Sequence, residues 1–156
     1  MTIAGCAIDQ VLVGPGGVFA VETKWTNEPL HLTDTFFDDH AARRSLAHIR
    51  EGAARLGLEL RSAHGLRCEV TPLLLLSGPG KPAIEAALYS EGVLVAPGQL
   101  LPHAITMRPR SLVALDVQAI AAAVCRLAEP QVPVPVQVQP ATPDRRAHQR
   151  DLVHAC

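Results

Sequence analysis

From Ala7 to Trp25 apolar residues fall into two runs, separated by Gly14-Pro15-Gly16-Gly17. A Pro/Gly cluster between β-branched runs is a hairpin signal, so two antiparallel strands are predicted. The period then changes. Between Asp34 and Leu58, Ala42, Leu46, Ile49, Ala53 and Leu56 recur at every third or fourth position with arginines between them, which predicts an amphipathic helix stopping at Gly57. The run from Cys68 to Ser77, closed by Gly78-Pro79-Gly80, predicts a strand buried on both faces. Strand, helix and strand in this order imply a crossover onto one sheet. Gly92 to Ala96 predicts a further short strand, Pro97 to His103 a helical turn, and Asp116 to Leu127 a second amphipathic helix.

The pattern divides the chain. Residues 1–129 can form one α/β domain, whereas beyond it Pro130, Pro133, Pro135, Pro140 and Pro143 alternate with Val and Gln. Such a composition favours extended, solvated chain, so 130–156 is expected to be a disordered tail. A length of 156 residues with 48% hydrophobic and 19% charged residues is ordinary for a globular protein with a real core. The net charge of -1 excludes binding of nucleic acid by bulk positive charge and leaves only a local patch for it. Cys6, Cys68, Cys125 and Cys156 form no C-x-x-C pair, which removes zinc-ribbon and thioredoxin-like chemistry and leaves ordinary thiols. The first residues lack the basic and apolar regions of a signal peptide, and Leu73 to Leu76 is too short to span a bilayer. A cytoplasmic protein without membrane contact is expected.

Pairing the two strands about the glycine-rich turn makes the numbers of opposed residues sum to 31, which sets Asp9 against Glu22. Cross-strand partners share a face, as do residues two apart, so Lys24 joins both carboxylates. The same face carries Val11, Val13, Val18 and Ala20; the opposite face carries Ile8, Leu12, Phe19 and Val21. Charges inside an apolar hairpin are costly unless they pair or bind a metal. Two close carboxylates repel, and a divalent cation between them reverses that penalty; oxygen ligands suit Mg2+ or Mn2+. A lysine beside the cation can position or deprotonate a water, or stabilise charge on a phosphate. The same three residues also suit a plain salt-bridge network on a half-exposed sheet, and spacing alone does not separate the two.

The stretch Ala7-Ile8-Asp9-Gln10-Val11-Leu12-Val13-Gly14-Pro15-Gly16-Gly17-Val18-Phe19-Ala20-Val21-Glu22-Thr23-Lys24-Trp25 resembles the signature of the nuclease-related (NERD) domains, a branch of the PD-(D/E)xK, restriction-endonuclease-like superfamily. The likeness comprises the Asp, the glycine-rich turn, the Gly-Val-Phe opening of the second strand and the Glu-x-Lys close. It implies a mixed sheet flanked by helices, Asp9 and Glu22 as metal ligands with the Thr23 carbonyl as a third oxygen, and Lys24 as the catalytic lysine. It also implies metal-dependent hydrolysis of phosphodiester bonds, in DNA ahead of RNA. The elements up to about Glu129 follow the family's order more loosely. Domains of this family begin with a helix bearing a glutamate and a further strand, whereas eight residues precede Asp9 here. The resemblance therefore implies a core missing its N-terminal helix and first strand, which would be encoded upstream, lost, or supplied by another chain or a second copy. The rival expectation is a non-catalytic nucleic-acid-binding or protein-interaction module that keeps the same fold, with the Pro-rich tail as a partner ligand.

Other residues carry weaker signals. Arg43 and Arg44 fit a solvated helix face, or a contact to the scissile phosphate of the kind seen in related nucleases. His31, His40 and His48 lack H-x-x-x-H spacing and read as surface or loop histidines. Gly14 to Gly17 lacks the Gly-Lys-Ser/Thr ending of a phosphate loop and reads as a turn. Trp25 closes its strand and is expected to pack, with stacking on a base as the alternative.

Overall fold

The computed structural model describes residues 2–3, 5–30, 32–33, 36–37, 40–82 and 84–128, with backbone alone at 2–3, 32–33 and 36–37. The expected tail at 130–156 and His31 lie outside the described residues. The chain forms an α/β fold with a five-stranded mixed sheet. In chain order the elements are β1 (Thr2–Ile3), β2 (Cys6–Ala7), β3 (Gln10–Gly14), β4 (Gly17–Trp25), β5 (Leu32–Thr33), β6 (Phe36–Phe37) and α1 (His40–His64). They continue with β7 (Val70–Ser77), β8 (Leu88–Ser90), β9 (Val93–Pro97), a 3-10 turn (Gly98–Leu100), α2 (Leu101–Thr106) and α3 (Ala114–Ala128).

The main sheet runs β3-β4-β7-β9-β8. β3 and β4 form the expected antiparallel hairpin in the expected register, from Gln10 opposite Val21 to Gly14 opposite Gly17. Its tip is fixed from outside: the Pro15 carbonyl accepts hydrogen bonds from the Ser111 and Leu112 amides at 2.8 and 3.2 Å. β4 then pairs in parallel with β7, Val18 opposite Val70 through Trp25 opposite Ser77, after the crossover through α1. β7 is the central strand, with Leu73, Leu74, Leu75 and Leu76 all buried. Each such leucine contributes roughly 1.5–3 kcal/mol by leaving water.

Alternation along the strands splits the core into two layers. Val18, Ala20, Leu74, Leu76, Val93 and Val95 face α1 and α3, meeting Leu46, Ile49, Leu56, Leu60 and Ile120. Phe19, Val21, Leu73, Leu75, Leu94 and Ala96 face α2 and Ala104. Ile8 departs from its expected face. It lies in the α1 layer, because β3 starts only at Gln10 and the bend at Asp9 interrupts the alternation.

Three boundaries also move. The helix α1 begins at His40 and not near Asp34, because Phe36 and Phe37 before it pair in β6. α1 does not stop at Gly57, since Leu60 continues the buried stripe; the helix ends at Gly65, whose positive φ of 67° a side chain would disfavour. There the Gly65 and Leu66 amides return to the Arg61 and Leu60 carbonyls at 3.0 and 2.9 Å. Gly92 belongs to a two-residue turn with Glu91, both at positive φ, joining β8 to β9. Three residues of β8 were too few to show a period.

Candidate functional site

β3 is shorter than the strand it pairs with. Its ladder ends at Val21, while β7 follows β4 to Trp25, so Glu22 to Trp25 are paired on one side only. The open side is closed by a side chain: the Thr23 amide donates to Asp9 Oδ2 at 2.7 Å. Because the N–H and C=O of one strand residue point the same way, the Thr23 carbonyl also faces Asp9 and not the β7 ladder. Asp9 thus reaches the site from the sheet edge, one residue before β3, and it is exposed.

Glu22 and Lys24 extend the face of Val18 and Ala20 beneath α1, and both are half-buried. They line an open groove of about 610 Å³ with Ala41, Arg44, Ser45, His48 and Glu51 of α1. The helical residues follow a spacing of three or four beside the buried stripe Ala42, Leu46 and Ile49, which places them on the flank nearest β4. His48 Nε2 lies 2.8 Å from the Ala7 carbonyl and 3.9 Å from Glu22 Oε2. A carbonyl only accepts, so Nε2 carries the proton and the Nε2–H donates to Ala7. The histidine therefore ties α1 to the segment that presents Asp9.

Burial raises the Glu22 carboxyl above its ordinary value, and the Asp9 charge raises it further, while His48 and Lys24 pull it down. Desolvation outweighs the cations. Burial and the neighbouring carboxylate both disfavour the ionised form of Glu22. Two carboxylates and one backbone carbonyl make an all-oxygen donor set that fits a hard divalent cation. Among the described residues, no group of three or more His, Cys, Asp or Glu side chains is gathered as a metal cluster.

Arg43 and Arg44 are both exposed on α1, as expected of a solvated helix face, and they diverge: Arg44 lines the groove, and Arg43 lies 3.8 Å from Glu91 on the other side. His48 is partly exposed at the surface, as expected, and it also stands against Glu22. One expectation changes. Trp25 does not pack; it is 67% exposed. The i, i+4 spacing of Arg44 and His48 was visible in the sequence, but the flank that meets β4 depends on how α1 crosses the sheet. Cys6, Cys68 and Cys125 are free thiols, and burial pushes the Cys68 thiol up, away from reactivity. Among the described residues no helix is long and apolar enough to cross a membrane. Comparison with family models, with curated proteins and with solved structures returned no match to this chain.

Proposed function

We propose that this chain is a NERD-type domain of restriction-endonuclease-like fold that hydrolyses phosphodiester bonds in nucleic acid, DNA ahead of RNA, with Mg2+ or Mn2+ as its cation. The observation that carries this reading is the junction of Asp9 and Thr23 at the one-sided end of β4, with Glu22 and Lys24 on the adjoining face. It supplies an oxygen-only donor set next to the Lys24 ammonium, with Glu22 and Lys24 lining an open groove.

Asp9 and Glu22 would hold the metal, and the Thr23 carbonyl would add the third protein oxygen. When bound, such a cation polarises a phosphodiester and lowers the pKa of an attacking water. Lys24 then acts beside it, placing the water or meeting charge that grows on the phosphate. Arg44 stands across the groove from Lys24, where a guanidinium can take two phosphate oxygens at once. His48 keeps the Asp9 segment in reach of Glu22 through its bond to Ala7. Lys24 and Arg44 are the positive charges of the groove and stand beside Glu22 and Glu51, so attraction of a polyanion by a chain of net charge -1 depends on a cation that neutralises the carboxylates.

The test compares wild type with Asp9→Asn, Glu22→Gln and Lys24→Ala by manganese calorimetry and by cleavage of plasmid and single-stranded substrates. The reading expects both carboxylate variants to lose metal and cleavage, and Lys24→Ala to lose cleavage alone. Metal binding that survives in both carboxylate variants would place the cation elsewhere. Nucleic-acid binding without any metal dependence would favour a non-catalytic binding module on the same fold.

A further inference from the structure

We propose that Trp25 is a stacking platform for an unpaired nucleobase, which makes single-stranded nucleic acid the substrate class of the groove; the inference rests on the nuclease reading above. Trp25 is the sole tryptophan of the chain, and 67% of it is exposed. Tryptophan is usually largely buried, so an indole left in water beside a candidate site needs a reason.

The indole is exposed yet held. Its Nε1–H donates to Asn27 Oδ1 at 3.1 Å. The chain that follows it is clamped to the loop after β7: the Thr26 amide donates to the Ser77 carbonyl at 2.9 Å, the Gly80 amide to the Thr26 carbonyl at 3.0 Å, and the Leu30 amide to the Gly80 carbonyl at 2.9 Å. Thr26 itself is buried, and its hydroxyl donates to the Glu28 carbonyl at 2.6 Å. A side chain that is already ordered loses little entropy when a ligand lies on it.

Position supplies the ligand. Trp25 follows Lys24 directly, and Glu22 lies three residues back on the same strand, about 10 Å away at strand rise. Alternation sends Trp25 to the face opposite Glu22 and Lys24, at the end of β4 where β7 pairs along one edge and, among the described residues, no strand pairs along the other. A strand whose phosphate sits between Lys24 and Arg44 can turn a neighbouring base over this edge and onto the indole. A paired base cannot, because its faces are already stacked in the duplex. Base stacking on an aromatic side chain accepts any sequence, since every base has a π-face.

The test uses the full chain and its own fluorescence, which reports Trp25 alone. Wild type is titrated with an oligothymidylate, with the same strand made abasic, and with a blunt duplex of equal length, strand integrity being checked by gel. Affinities are measured in parallel by anisotropy of labelled strands. The expected result is quenching by the oligothymidylate but not by the abasic strand. Trp25→Ala should weaken single-strand binding about tenfold with little effect on duplex, and Trp25→Phe should retain most of the affinity. The exposed position allows both variants to fold, which thermal unfolding verifies. Equal single-strand affinity in wild type and Trp25→Ala, or equal quenching by the abasic strand, overturns the stacking role while leaving the nuclease reading in place. Failure of every strand to bind overturns both.

Discussion

Asp9 and Thr23 are joined by a 2.7 Å hydrogen bond at the point where the ladder between their strands has already ended. The carboxylate closes an open strand edge, and under the proposed function its other oxygen would hold the cation. Asp9→Asn keeps an acceptor for the Thr23 amide and removes the charge, whereas Asp9→Ala removes both. Both variants should lose manganese affinity at least tenfold in calorimetry. Only Asp9→Ala should also lose stability, by about 0.5–1 kcal/mol in urea denaturation, because water replaces part of an exposed bond. Equal stability of the two variants would show that the bond contributes nothing to the fold.

Glu22 links this site to pH. Burial and the Asp9 charge raise its carboxyl above the ordinary 4.5, so the folded chain holds that proton more tightly than the unfolded chain. Its contribution to stability is complete below about pH 4.5 and is lost as pH rises through the higher folded value. Glu22→Gln cannot ionise. Without metal, the variant should unfold at a higher temperature than wild type at neutral pH, and the two curves should converge near pH 4. Magnesium should raise the wild-type midpoint and leave the variant unchanged. A wild type that gains nothing from the substitution at neutral pH would mean that Lys24 and His48 offset the burial.

Lys24 and Arg44 should separate chemistry from binding. Lys24→Ala is expected to reduce cleavage by a factor of 100 or more while manganese calorimetry stays close to wild type. Arg44→Ala is expected to weaken strand binding and to reduce the slope of affinity against salt by about one phosphate contact. An unchanged salt slope would remove Arg44 from the phosphate path.

The loop after β7 offers a test of the frame around Trp25. A Cβ on Gly78 would stand 2.3 Å from the Thr26 carbonyl oxygen, and one on Gly80 would stand 2.0 Å from that of Glu28. Both contacts are with backbone, so Gly78→Ala and Gly80→Ala should each cost more than about 1 kcal/mol and loosen the indole. Gly14→Ala, with nothing within 4 Å of its Cβ, is the control and should leave the unfolding midpoint almost unchanged. Red-shifted or lower-anisotropy Trp25 emission in the two loop variants would report the loosening directly.

Much of this was legible in the residues themselves. The Pro15-Gly16 turn sets the register of β3 and β4, and a period of two then assigns Phe19 and Val21 to one face and Ala20, Glu22 and Lys24 to the other. The three- and four-residue spacing of Leu46, Ile49, Ala53 and Leu56 marks the buried stripe of α1 in the same local way. These properties depend on neighbours a few positions apart. What the sequence left open depends on distant groups meeting. His48 reaches Glu22 only because α1 crosses β4 on one particular flank, and no local period contains that crossing angle. Ile8 joins the α1 layer because the chain bends at Asp9, and the same bend brings the carboxylate to Thr23. Trp25 has the composition of a core residue. It stays in water at the end of β4, where β3 has stopped four residues short and, among the described residues, only β7 runs alongside.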